Sequence, residues 1–133
     1  MKKVVLFLLT CFAFAGLYAQ QTATKTAAAP VNGPEIKFEK LYFDFGALNV
    51  GDVKEATLTF TNIGNKPLIL DDVISSCDCT EVEWSKAPVM PGKTGTIKAK
   101  YTAENSGVIS KRVTVLSNAE TYRVILHTKG TVK

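Results

Sequence analysis

Two cysteines one residue apart, Cys77-Asp78-Cys79, are the residues of this chain whose type and spacing could do chemistry. In an extended strand both side chains point to the same face with Cα atoms about 6.6 Å apart, at the outer end of what a disulfide spans. A turn at Asp78 would bring them closer. In an oxidising compartment so near a pair would be oxidised. The closed loop is short, so the bond would remove little chain entropy and contribute less stability than a long-range bridge. If the bond were also easily reduced, Cys77 and Cys79 would form a redox pair. A second reading is a thiolate metal site, in which two sulfurs on one face grip Cu(I) or form half of a zinc site. Asp78 points away in that geometry, and Met90 and His127 could arrive only through the fold. The third reading is two small side chains packed inertly at a strand end. With no third ligand in the spacing, a disulfide or packed thiols rank ahead of a metal, and no cofactor is expected.

Other chemistry fails its context. A hydrolytic triad would need the only histidine, His127, to face a serine or cysteine held by a third group, yet His127 shares with Ile125 and Arg123 what reads as an outer strand face. Asp44-Phe45-Gly46 spells a kinase magnesium loop without the other kinase motifs. Gly92-Lys93-Thr94 ends like a phosphate-binding loop, but Ala87 stands where its first glycine belongs and a strand follows where a helix should. No enzyme is expected.

The elements that must position the cysteines are strands. Ala56, Leu58 and Phe60 alternate with Thr57, Thr59 and Thr61, and Phe43 and Phe45 share the same period, which puts one apolar face on each run. Asn49-Val50-Gly51-Asp52 and Asn62 to Pro67 read as turns, after which Leu68 and Leu70 open a third strand. Short turns cannot join parallel neighbours, so these strands are expected to be antiparallel. Val82 and Trp84 share a face opposite Glu81 and Glu83, which makes Trp84 the expected core anchor; the other role for it would be a ligand-stacking platform. Pro91-Gly92 fits the centre of a type II turn. Ile97, Ala99 and Tyr101 form the next buried face, with Lys98 and Lys100 solvated. Ile109, Val113 and Val115 sit in one strand, and Tyr122, Val124 and Leu126 share a face of the last. About seven short strands at this spacing predict an all-β, immunoglobulin-like antiparallel β-sandwich.

Ahead of this domain, Met1-Lys2-Lys3, an uncharged apolar run from Val4 to Leu17, and Ala19 have the form of a secretory signal peptide over residues 1–19. The run is too short for a membrane span, so no transmembrane anchor is expected in the mature chain. Cys11 falls within the discarded segment. Cleavage would remove Lys2 and Lys3, so the formal charge of +4 falls by two. No basic stripe remains for nucleic acid. Residues 20–35 are poor in large apolar side chains and broken by Pro30 and Gly33, which predicts a flexible linker. The folded domain is expected over residues 36–133, enough for one core.

Together, Asp44-Phe45-Gly46, Gly51, the run Phe60 to Leu68, Ser76-Cys77-Asp78-Cys79-Thr80, Trp84, Pro91-Gly92 and Ser117-Asn118 resemble the exported bacterial family catalogued as domain of unknown function fifteen seventy-three, common in Bacteroidetes. The family pattern has Cys-Gly-Cys where this chain has Asp78. The resemblance implies an immunoglobulin-like sandwich similar in outline to abnormal-spindle and Hydin domains, and it implies export. The expected role is a non-catalytic binding or structural module of the cell envelope, in the periplasm or outside the cell, whose partner is a protein or envelope component. The competing class is a periplasmic redox or copper-handling protein built on Cys77 and Cys79.

Overall fold

Strand-forming alternation accounts for all the regular elements of residues 31–133, the part of the chain described by the computed structural model. Nine strands follow in order: β1 (Ile36–Phe38), β2 (Tyr42–Leu48), β3 (Val53–Asn62), β4 (Leu70–Ser75), β5 (Thr80–Trp84), β6 (Thr94–Thr102), β7 (Gly107–Ile109), β8 (Arg112–Ser117) and β9 (Arg123–Val132). One sheet has the order β1-β3-β6-β5, and the other β2-β9-β8-β4 with β7 also on β9. Their inner faces supply the core, in which Phe43, Phe45, Phe60, Ile97 and Leu126 are fully buried. Phe45 of one sheet meets Tyr101 of the other with ring centroids 5.3 Å apart. This is the two-layer sandwich that the alternation requires, since each sheet must cover its apolar face with the other.

The count exceeds the expected seven for two reasons. Ile36–Phe38 adds a strand antiparallel to the end of β3, and the run from Ile109 to Val115 is split into β7 and β8. Both pieces keep one register against β9. At the break, the Lys111 N–H donates to Oγ1 of the buried Thr128, 2.8 Å away. The Thr128 hydroxyl thereby takes the Lys111 N–H at the break, while the Thr128 N–H still donates to the Lys111 carbonyl at 2.9 Å.

Strand pairing departs further from expectation. β2, β3 and β4 are not antiparallel neighbours; they alternate between the two sheets, and β2 pairs in parallel with β9. A short turn can carry a chain over the edge between two packed layers as readily as it closes a hairpin. The parallel partner is reached through the whole intervening domain, which serves as the long crossover that parallel pairing needs. The turns themselves are as read. The Asp52 N–H donates to the Asn49 carbonyl at 3.0 Å, and the Lys93 N–H to the Met90 carbonyl at 3.0 Å. Gly92 takes the positive φ of 76° that the third position of a type II turn demands.

The signal peptide and most of the linker lie outside the described residues. The last part of the linker is docked: the Asn65 N–H donates to the Gly33 carbonyl at 2.9 Å, and the Glu120 N–H to the Pro34 carbonyl at 3.0 Å. Among the described residues, the hydrogen bonding of the domain therefore extends at least three residues before Ile36.

Candidate functional site

The cysteines sit where the chain leaves one sheet for the other. β4 is paired with β8 as far as Ser75 opposite Val113, and the last link is reciprocal. The Ser76 N–H donates to the Arg112 carbonyl at 2.8 Å, and the Arg112 N–H donates to Ser76 Oγ at 3.0 Å. The chain then turns. The Thr80 N–H donates to the Cys77 carbonyl at 3.1 Å, with Asp78 and Cys79 at the central positions, and the Thr102 N–H receives the chain into the other sheet at the Cys79 carbonyl, 2.9 Å away. Ser75 Oγ donates to the Cys77 carbonyl at 3.0 Å, so the bend is held by side chain as well as backbone.

This turn brings the Cα atoms of Cys77 and Cys79 to 5.2 Å, inside disulfide range, and the two sulfurs are bonded. The two sulfurs differ in setting. Cys79 belongs to the core at 9% exposure, whereas Cys77 is partly buried at its margin. The Cys79 N–H points at Cys77 Sγ from 3.1 Å. A cavity of about 200 Å³ opens beside the bond, lined by Cys77, Cys79, Tyr101, Glu104, Val108 and Lys111 among others.

The other residues singled out by sequence do not join this site. Met90 lies in the turn before β6, at the opposite end of that strand from the cysteines. His127 is exposed on the outer face of its sheet, between Tyr42 and Arg112 in register. Among the described residues no group of three His, Cys, Asp or Glu side chains is placed to hold a metal. Because each sulfur is bonded to the other, copper or zinc binding would first require two-electron reduction. Trp84 does lie on the inner face with Val82, but only partly buried, packed against the core rather than anchoring it. Phe43, Phe45 and Phe60 are the largest fully buried side chains. The reason is position: β5 is an edge strand, so one flank of Trp84 has no neighbouring strand. Its Nε1 is buried with no hydrogen-bond partner among the described residues.

Two features escaped the sequence reading. Asn62, treated as a turn residue, is 0% exposed. Its Nδ2 donates to the carbonyls of Lys66 and Val89 at 2.7 and 2.9 Å, and its Oδ1 accepts the Gly64 N–H at 2.9 Å. The signal was present, since Asn62 continues the inward parity of Leu58 and Phe60. The other feature is a row on the outer face of the second sheet. Ile74 pairs with Thr114, and Thr114 with Ile125, which leaves two isoleucines 49% and 38% exposed on one line. Arg112 and Arg123 border them around a shallow depression, and further along β9 the Lys129 ammonium sits 4.0 Å above the ring of Tyr42 on the neighbouring β2.

Comparison with known proteins places this geometry. The family model for "Protein of unknown function (DUF1573)" matches residues 36–132. No curated protein matches the chain in sequence. Among solved structures, a protein of unknown function from Porphyromonas gingivalis W83 superposes with a TM-score of 0.67 at 18% identity, covering 81% of this chain. The chain spans 51% of that protein's length. The ASH / PapD-like domain 7 of human CEP192 superposes with a TM-score of 0.65 at 9% identity, over 82% of this chain and 92% of that one. The secreted serine protease VesC from Vibrio cholerae gives 0.54 at 16% identity, over 75% of this chain but 23% of the protease. At these identities the likeness is one of fold, an immunoglobulin-type all-β sandwich.

Proposed function

We propose that this chain, which belongs to the family described as Protein of unknown function (DUF1573), works as an exported, non-catalytic binding or structural module of the cell envelope. Export is supported by the basic start, apolar run and Ala19 of the sequence. A disulfide between neighbouring cysteines suits an oxidising compartment. No helix of the described residues is long and apolar enough to cross a membrane.

The observation that carries the binding role is the Ile74–Thr114–Ile125 row. Two large aliphatic side chains stand on one solvent face, one on each side of Thr114, with arginines at the border. Burying such a row contributes about 25 cal/mol per Å² of apolar surface, and guanidinium groups at its rim select for acidic or carbonyl-rich partners. The partner this favours is an envelope protein with an apolar, acid-rimmed patch.

The test is chemical cross-linking in the native envelope followed by capture of the tagged chain. The wild type should retain a defined set of partners, and the double variant Ile74→Lys with Ile125→Lys should lose them while remaining folded, because both positions are exposed. The Cys77→Ser, Cys79→Ser double variant should keep them. Partners that survive the isoleucine changes would remove this face from the function.

A further inference from the structure

The end of the sandwich that carries the disulfide is built differently from an inert staple. β7 and β8 form one line along β9, interrupted at Ser110-Lys111. β4 covers the outer edge of β8 only from Ser117 to Val113 and departs at the Ser76–Arg112 link. Beyond that point β7 is paired on one side alone. The place that a continued β4 would occupy is taken at its near end by the Cys77–Cys79 turn, and the rest is the cavity lined by Gly107, Val108 and the two sulfurs. Val108 is 81% exposed there. An open strand edge, an exposed apolar side chain and a disulfide thus meet in one recess.

We propose that the Cys77–Cys79 bond is a thiol–disulfide exchange site in which Cys77 is the sulfur that bonds to a cysteine of a partner protein, whose extended segment lies along the free edge of β7. A sheet edge takes an extended peptide through main-chain hydrogen bonds, and a segment in line with β4 runs directly into the turn that holds Cys77. The proposal stands apart from the isoleucine row, which lies elsewhere in the sheet, across β4, β8 and β9.

The accessibility of the sulfurs sets the direction of attack. A thiolate from a partner dithiol reaches Cys77 Sγ, at the margin of the core, in preference to the buried Cys79. A bond forms between the partner sulfur and Cys77 Sγ, the Cys77–Cys79 bond breaks, and its electron pair leaves on Cys79, which takes a proton from solvent. The partner's second thiolate then attacks its own sulfur in the mixed disulfide and expels Cys77 as a thiolate. The partner gains a disulfide, and its two electrons end on the Cys77/Cys79 dithiol. Run backwards, the dithiol reduces a partner disulfide. In both directions Cys77 carries the exposed negative charge, with the Cys79 N–H aimed at its sulfur and Lys111 lining the same recess. A hydrogen-bond donor and a cation near a sulfur both favour the thiolate.

The test uses the full chain in a Cys11→Ser background, so that only the pair reports. Reduced Cys79→Ser and Cys77→Ser variants are each reacted with glutathione disulfide, and the mixed disulfide is followed by mass. Cys77 should form its adduct about tenfold faster than Cys79, as expected for the more exposed, thiolate-stabilised sulfur. The reduced wild type should reoxidise with release of both glutathiones. In Cys79→Ser, adding Lys111→Met should move the midpoint of the alkylation pH profile upward, a shift that a merely structural lysine would not cause. Val108→Glu should slow adduct formation with an apolar, cysteine-bearing β-strand peptide several-fold more than it slows the reaction with glutathione disulfide. Equal rates at the two sulfurs, or a wild-type bond that dithiothreitol reduces only in denaturant, would overturn the exchange site. A peptide reaction that Val108→Glu slows no more than the glutathione reaction would overturn the strand-edge docking.

Discussion

The chain passes between the sheets at both ends of the sandwich, and two of these crossings, β3 to β4 and β4 to β5, solve the same problem by opposite means. Beyond the start of β6, the chain leaving β3 is gathered around Asn62, whose buried amide satisfies two carbonyls and two N–H groups. Gly64 lies so close to the backbone of Gly33, Pro34 and Glu35 that a Cβ would meet it. Beyond the end of β6, the chain leaving β4 is held by a covalent bond and a few hydroxyl contacts, beside an open recess. A polar network buried in low dielectric is costly to break, because each lost partner leaves an unsatisfied group behind. A short-range disulfide fixes geometry but removes little entropy from the unfolded chain. The first end is suited to stability, the second to chemistry.

The largest effect expected from breaking this contrast is at Asn62. Asn62→Ala takes the partner from the Lys66 and Val89 carbonyls and from the Gly64 and Glu35 N–H groups together, and should cost about 3 kcal/mol or more in denaturant unfolding, at one to three per buried unsatisfied group. A loss below about 1 kcal/mol would mean that water replaces the side chain and that the two ends are alike. Next comes Trp84→Ala, on the edge strand. Full burial would place the cost at about 3–5 kcal/mol, so a partly buried ring should lose about 2–3. The smallest effect is expected from the Cys77→Ser, Cys79→Ser double variant, whose midpoint in denaturant should correspond to a loss within about 2 kcal/mol. A loss at the pair equal to that at Asn62 would make the disulfide a structural element first.

Local order was legible because it depends on neighbours in sequence. The inward parity of β3, β6 and β9 follows from alternation alone, and Leu58, Phe60, Ile97, Ala99 and Leu126 are buried as it requires. The turns at Asn49–Asp52 and Met90–Lys93 follow from residues that tolerate or impose particular φ values. Asn62 was misplaced for a different reason. A polar residue at an inward position is read as the end of a strand unless the carbonyls that will surround it are known, and here one of them, Val89, is 27 positions away.

What the amino-acid sequence determined by itself was the class of the fold, the face that β3, β6 and β9 bury, and the proximity of two thiols. Strand partnership was decided only by the tertiary structure. Periodicity sets which side of a strand is apolar, but hydrogen bonding along its edges is satisfied equally well by many neighbours, and the choice is made by how two sheets cover one core. That choice sends β2 to the far end of the chain to pair with β9, stops β4 at Ser75, and leaves the edge of β7 open. The same choice distinguishes Cys77 from Cys79. One residue apart in sequence and alike in type, they differ because the turn between the sheets carries one sulfur into the core and leaves the other at its margin.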